Sequence, residues 1–346
     1  MKLAIIGAGV AGLAAARSLR AAQPDLEITL YEKSRGLGGR AATRRRDGFA
    51  FDHGAQYLKA PTDALLKLIQ QELPSDELFD IGKPVWTFDT NGTIAEGDPA
   101  LNTEPKWSYR SGLSMFGKLL GAGLDVRREV RIAALKRETN ESGWLLVDTT
   151  GRSVGSADLV LITAPGPQAA DIIAASDIVS ERRDVLVEAL QSAIYRRCIS
   201  LAFAYPRLVP RPFYALISSD RGHPIAWLAL EHDKGPQRCP PGHSLMIAQM
   251  APAYSLEHWD VALEQLVAPV AALVGDVLGE DLDQPLWADR QGWKFALPDG
   301  IAEPNTIDAP ELGLFFAGDF TAGQGRVHLA VEQGWRTAAV ISSVLG

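Results

Sequence analysis

Three glycines near the start of the chain, Gly7, Gly9 and Gly12, stand in the spacing G-x-G-x-x-G, and Glu32 follows twenty residues beyond the third. Each has a chemical use. Gly7 permits a tight turn, Gly9 lets backbone approach a pyrophosphate, and Gly12 lets a helix pack close to a strand. A helix beginning there points partly positive N–H groups at phosphate. Glu32 can accept hydrogen bonds from a ribose diol and would repel a 2′-phosphate. Ala8, Ala11 and Lys33 complete the candidate set around this fingerprint. A second glycine cluster, Gly36, Gly38 and Gly39, is flanked by Arg35 and Arg40, whose guanidinium groups suit a pyrophosphate. Arg44, Arg45 and Arg46 read as a solvated face, or as an attraction for an anionic substrate.

Downstream, Phe49 to Tyr57 reads as a strand running into a tight turn, with Asp52 bracing it. Gln56 and Tyr57 then point towards whatever the glycine loops hold. His53 could serve as a base or be a hydrogen-bonded structural histidine. Near the other end, Gly318-Asp319 closes an apolar run, and Gly323 to Val327 opens a last helix. A glycine-rich helix start is another anion site. Phe203, Tyr205, Phe213, Tyr214 and Trp227 are candidates for pocket lining or for plain core. The six histidines and two cysteines, Cys198 and Cys239, show no metal-ligand spacing.

These side chains need elements to position them. Lys2 to Ile6 is an apolar run long enough for one buried strand, Leu13 to Leu19 is Ala- and Leu-rich helix, and Glu27 to Tyr31 is the next strand. The order strand, glycine turn, helix, strand, acid is the context the fingerprint requires. Leu65 to Ile69 and Leu113 to Leu120 read as short helices, and Val85 to Phe88 as a strand. Val126, Val130, Ile132 and Leu135 alternate with charges and lead through Trp144 to Val147 and Ser153-Val154 into a meander. Asp158 to Thr163 is near-continuously apolar, as in a strand buried on both faces, and ends at Ala164-Pro165. Helical patterns at 181–191 and 257–278 bracket strands at 194–205, 213–218, 225–230 and 244–250, which predicts an antiparallel sheet with helices on one side. Pro285 to Trp287 and Trp293 to Ala296 read as two strand edges. Gly313 to Asp319 is a further nucleotide-type strand, and the final helix runs to Val344.

The expected fold is α/β with an α+β insert. Residues 1–60, 108–165 and 283–346 form a Rossmann-type domain, and 61–107 with 166–282 form an inserted substrate domain. With 346 residues, 47% hydrophobic and 22% charged, the chain has ordinary globular composition. A net charge of −8 argues against nucleic acid as partner. The apolar N-terminus superficially resembles a signal peptide, but its glycines and Glu32 mark it as fold. No apolar run is long enough to span a membrane, and two cysteines suit a reducing cytoplasm.

The run from Gly7 through Glu32 to Gly38-Gly39-Arg40, with Gly318-Asp319, resembles the FAD proteins of the amine oxidase and glutathione-reductase-like superfamily. Within it, four stretches resemble the bacterial renalase-like family: Lys33 to Gly36 with Gly38 to Arg40, Asp52 to Tyr57, Ala164 to Gln168, and Gly318-Asp319 with Gly325 to Val327. The resemblance implies a p-hydroxybenzoate-hydroxylase-like architecture and non-covalent FAD. It places Asp319 on the ribityl and phosphate part of the cofactor, Val130 at the adenine, Ala164 beside the cofactor, and Val327 at the flavin pyrimidine edge with Arg326 next to it. Gln56, Tyr57, Trp227 and His53 are the candidates near the chemistry. The implied reaction is hydride transfer from a small molecule to flavin N5, then reoxidation by O2 to H2O2, with 2- or 6-dihydro isomers of NAD(P) as substrate. An amine oxidase or desaturase of the same fold is the alternative, and a non-catalytic flavin-binding protein a second one. Around Ile247 to Gln249 a His expected in bacterial relatives is missing. At Tyr195 to Cys198 the sequence offers Arg where amine oxidases place a flavin-facing Lys.

Overall fold

The structure, a computed structural model, describes residues 1–137 and 143–346. It divides into two compact units. The first comprises Met1–Ala41, Phe116–Tyr195 and Leu297–Gly346, and the second Ala42–Met115 and Arg196–Ala296.

The first unit is built on a five-stranded sheet in the order Leu314–Phe316, Leu159–Ile162, Lys2–Ile6, Glu27–Glu32, Asp125–Arg128. All its neighbours run parallel. Leu3 to Ile6, Leu159 to Ile162 and Leu314 to Phe316 are buried throughout, which is why these runs do not alternate. The helices Val10–Ala22 and Val327–Leu345 pack on each other, and a Cβ on Gly334 would strike the Ala11 carbonyl. Asp125–Arg128 departs from the expected meander. It adds an edge to the parallel sheet, where Thr29 Oγ1 bonds Asp125 at 3.0 Å. The meander itself is Ile132–Arg137, Trp144–Asp148 and Ser153–Ala157. The helices Gly166–Ala174 and Ser180–Gln191 lie in this unit because Ile173, Leu186 and Leu190 join the core formed with Leu135 and Trp144.

The second unit carries a seven-stranded sheet ordered Trp287–Pro298, Tyr195–Tyr205, Ser244–Met250, Ile225–Leu230, Ala215–Ser218, Val85–Phe88, Ile94–Ala95. Its middle strands pair antiparallel, as expected. Val85–Phe88 instead joins parallel to Ala215–Ser218. One face bears Leu201, Phe203, Leu216, Leu228 and Met246 and packs with Val270, Val274 and Val277 of the helix Leu263–Leu278. The opposite face is lined by smaller residues, Ala202, Ala204, Ala215 and Ala229 with Leu245 and Ile247, and it meets Phe49 and Phe51. Phe203, Tyr205 and Phe213 therefore belong to the thick core, whereas Tyr214 and Trp227 belong to the small-residue face.

The compact units thus divide elsewhere than the expected domains. Segments 42–60, 108–115 and 283–296 fall in the second unit, and 166–195 in the first. The hairpin Thr43–Arg46 with Phe49–Asp52 buries its aromatics on the second sheet, which settles its side. The expected helix 257–278 is two, Pro252–Glu257 and Leu263–Leu278. Between them Trp259 lies under the guanidinium groups of Arg197 and Arg290. The two expected strand edges near 285–296 are one strand, Trp287–Pro298. Its polar middle looked like a break in the sequence, but Arg44 pairs with Asp289 and bonds Gln291 at 2.9 Å.

Candidate functional site

In the first unit, Gly7 takes φ +111°, which a side chain would make strained, and a Cβ on Gly12 would collide with the Gly7 carbonyl. The turn and the close helix approach are therefore both real. Gly9 ends its strand-to-helix turn with open space where a Cβ would lie, and the helix Val10–Ala22 has no side-chain cap. Its first N–H groups therefore have no capping side chain and are of the kind that binds anions. Ala8 and Ala11 are buried in this turn. Glu32 is held at the end of its strand by backbone N–H groups of Ala8 at 2.9 Å and Ser34 at 2.8 Å. The second glycine loop docks on the first: the Gly38 N–H donates to the Ala8 carbonyl at 2.9 Å, and Gly39 lies against Gly9.

Arg40 and Asp319, 279 positions apart, meet in a two-pronged ion pair at 2.7 and 2.8 Å. The Tyr195 hydroxyl donates to the same carboxylate at 2.9 Å, and the Arg40 guanidinium lies 5.7 Å from the Tyr195 ring centre. Asp319 is 4% exposed and follows Gly318. The Val130 N–H is engaged by the Glu32 carbonyl at 3.0 Å. Lys33 is exposed and donates to Gln168 at 3.1 Å. Ala164 follows Thr163, whose hydroxyl donates to the Gly7 carbonyl at 2.9 Å. Val327 starts a nineteen-residue helix with no side-chain cap. Arg326, rather than pointing inward, is exposed and bonds the Gly325 carbonyl. Two uncapped helix starts, an open glycine turn and a fixed acid fit the anionic pyrophosphate and ribose of a dinucleotide.

In the second unit, the turn after Phe49–Asp52 brings Asp52, His53, Gln56 and Tyr57 together. Asp52 accepts from Thr43 Oγ1 at 2.6 Å, from the Leu113 N–H at 3.0 Å and from Arg238 at 2.9 Å. Burial alone would raise its carboxyl, but Arg238 and Lys234 outweigh burial and hold it well below the usual carboxylate range. Glu231, in the same cluster, goes the other way: burial pushes it up, only partly offset by Lys234 and Arg238. His53 stacks on Trp293 with centroids 5.4 Å apart, and Trp293 Nε1 donates to its carbonyl at 2.7 Å. Burial, with Arg44 nearby, lowers its pKa to about 4 against the opposing charge of Asp52, so the ring is neutral. Its buried Nδ1 has no hydrogen-bond partner.

Tyr57 forms a ring cluster with Tyr214 and Trp227, with centroids 6.4 and 6.2 Å away, and Tyr214 lies 6.2 Å from Trp227. Trp227, Gln249 and Ser200 are register partners across three strands and so share the small-residue face. Trp227 Nε1, the Tyr214 hydroxyl and Ser200 Oγ are buried without a hydrogen-bond partner. Burial raises the Tyr214 hydroxyl well above its ordinary pKa, so it remains protonated. Arg45 and Arg46 are exposed, as a solvated face requires, and bond the Ser111 and Ala288 carbonyls, while Arg44 is half-buried and pairs with Asp289.

Sequence reasoning missed Tyr195, Glu231, Lys234 and Arg238. Tyr195 lay in a stretch read only for its missing lysine. The others sit in the polar run between the expected strands 225–230 and 244–250. The available signal was an acid following an apolar strand with no turn residue between, and Glu231 placed three before Lys234. Among the described residues no group of three or more His, Cys, Asp or Glu could hold a metal ion, and no helix is long and apolar enough to cross a membrane.

Residues 5–71 match a family model described as an NAD(P)-binding Rossmann-like domain, and residues 100–342 match that of the flavin-containing amine oxidoreductases. A 4,4'-diapophytoene desaturase of Staphylococcus aureus is 48% identical over 61 residues, which is 18% of this chain and 12% of that protein. The chain therefore spans only a small part of the length of that curated relative. Cyclohexylamine oxidase from Brevibacterium oxydans superposes with a TM-score of 0.77 over 99% of both chains at 15% identity. Putrescine oxidase bound to putrescine gives 0.73 over 99% of both chains at 16% identity. At such identities these likenesses speak for the fold alone. With the family model covering most of its length, and a Rossmann-type framework joined to a sheet-rich second part, the chain belongs to the flavin-containing amine oxidoreductase family as an FAD-dependent oxidoreductase.

Proposed function

We propose that this enzyme is a renalase-like oxidase. Its substrate would present a planar, uncharged dihydronicotinamide ring as the hydride donor, as in 2- or 6-dihydro NAD(P), with dioxygen as the final acceptor. The observation that supports this reading is the donor-rich, acid-poor small-residue face. Trp227 Nε1, the Tyr214 hydroxyl and Ser200 Oγ are buried donors awaiting acceptors, and the Tyr57 ring completes an aromatic cluster with the first two. The carboxylates buried nearby, Asp52 and Glu231, are already tied to Lys234 and Arg238. An alkylammonium would find rings but no unpaired carboxylate, whereas a carboxamide carbonyl would satisfy the orphan donors.

In the first unit, the N–H groups after Gly9 would hold the pyrophosphate and Glu32 the adenosine ribose. Gly38, Gly39, Arg40 and Asp319 would hold the phosphate and ribityl portion, and the Val327 helix start would support negative charge at the pyrimidine edge. Bound FAD supplies the two-electron acceptor. The protein stacks the donor ring, fixes its carboxamide and excludes water. Neutral His53 need not act as a base, because a dihydropyridine gives up hydride without prior deprotonation.

An amine oxidase is the second reading, and the aromatic cluster favours it, since rings attract cations. Anaerobic mixing of the purified yellow protein with dihydronicotinamide isomers and with a panel of alkyl and aryl amines separates the two. We expect the 2- or 6-dihydro dinucleotides to bleach the flavin absorbance within seconds and the amines to leave it. Bleaching by amines alone overturns the proposal.

A further inference from the structure

The second unit contains a closed set of four charges. The side chains of Asp52, Glu231, Lys234 and Arg238 are all 0% exposed. Arg238 bridges Asp52 at 2.9 Å and Glu231 at 3.2 Å, and Lys234 Nζ lies 2.6 Å from Glu231 and 3.4 Å from Asp52. Burying such a set costs desolvation that an apolar core would avoid, so its contribution to stability is poor grounds for having it.

Its outlet is Gln56. Lys234 Nζ donates to Gln56 Oε1 at 3.0 Å, while Gln56 Nε2 donates to the Asp52 carbonyl at 2.7 Å and the Gly54 carbonyl at 3.1 Å. A flipped amide would turn its NH2 on the ammonium, so only one orientation is allowed. From the sheet side, Gln249 Nε2 donates to the same Gly54 carbonyl at 2.6 Å. The turn is thus gripped twice, once by a buried cation through Gln56 and once by the strand Ser244–Met250. At its ends, the His53 N–H donates to Ala42 and the Leu58 N–H to Trp107. The turn carries Tyr57, which is half-buried, as is Trp227, while Tyr214 is fully buried.

We propose that Lys234 and Gln249 are positioning residues that clamp the turn 53–57 and so set the Tyr57 ring for the substrate; the catalytic part of this rests on the substrate face proposed above. The test uses FAD-loaded protein and three variants. Gln249→Met removes the sheet-side grip, and Gln56→Met cuts Lys234 from the turn; both leave all four charges in place. Glu231→Gln with Lys234→Met removes one charge of each sign and leaves the Asp52–Arg238 pair.

Each variant should raise hydrogen exchange at the bracketing amides His53 and Leu58 about tenfold. It should also cut the maximal rate of flavin reduction by roughly ten- to a hundredfold, while the substrate dissociation constant moves less than about threefold. The thermal midpoint of Gln249→Met should stay within about two degrees of the parent. Unchanged exchange in Gln249→Met and Gln56→Met overturns the clamp, whether or not the double variant folds. A loss confined to the dissociation constant overturns the positioning role. Should no dihydronicotinamide reduce the parent flavin, the functional reading fails, and the exchange measurement still decides the clamp.

Discussion

At the residue scale, His53 illustrates how burial rewrites a side chain. The sequence offers it as a base or a bonded structural histidine. In the fold it is 8% exposed, stacked, and neutral with a pKa of about 4. Its folded pKa lies below its unfolded value near 6.5. The stability linked to it is therefore complete above about pH 6.5 and is lost as pH falls towards 4, by roughly 3 kcal/mol in all. Urea unfolding at pH 7.5 and 4.5 should show the parent losing more stability than His53→Phe over that interval; equal losses would mean that His53 titrates normally. The glycine turn and its closing acid were legible because their geometry is local. Gly7, Gly9, Gly12 and Glu32 act through spacing along one strand-turn-helix-strand unit. Asp52 was read only as a brace of its turn, because its partners Lys234 and Arg238 lie more than 180 positions away.

At the element scale, continuous apolar runs announced the parallel strands, and alternation announced the antiparallel ones. What failed was continuity. Trp287–Pro298 looked broken because its middle is charged, and those charges are answered from distant segments, Asp289 by Arg44 and Arg290 by Trp259. Asp125–Arg128 carries too few apolar residues to declare itself a sheet edge. Two glycines, Gly334 inside one of the paired helices and Gly9 just before the other, make contrasting predictions. Gly334→Val drives a side chain into the Ala11 carbonyl and should cost about 3 kcal/mol or more in denaturant unfolding. Gly9→Ala meets nothing in the protein, so apoprotein stability should change by less than about 1 kcal/mol while FAD affinity falls at least about tenfold. Equal effects of the two on flavin content after purification would contradict the assignment of Gly9 to the pyrophosphate.

At the scale of the whole molecule, the chain passes between its two units four times, at 41–42, 115–116, 195–196 and 296–297. Sequence periodicity carries no information on such crossings, so the expected boundaries fell at motif ends instead. The first unit draws its cofactor candidates from all three of its segments, including Glu32, Ala164 and Asp319. Occupancy by FAD should therefore act on the entire folded state. Free FAD at a hundred times its dissociation constant should raise unfolding free energy by about 2.7 kcal/mol, read as an upward shift of the thermal midpoint of apoprotein. No shift on FAD addition, with riboflavin as control, would sever cofactor binding from folding.

The four buried charges also bear on how this sequence can drift. Asp52, Glu231, Lys234 and Arg238 sum to zero, and each touches two of opposite sign. Any single replacement strands an ion in the interior, so descent through viable intermediates must exchange these positions in compensating pairs. Among descendants of this chain the four sites should be inherited as a block, and a homologue lacking Lys234 should also lack an acid at 52 or 231.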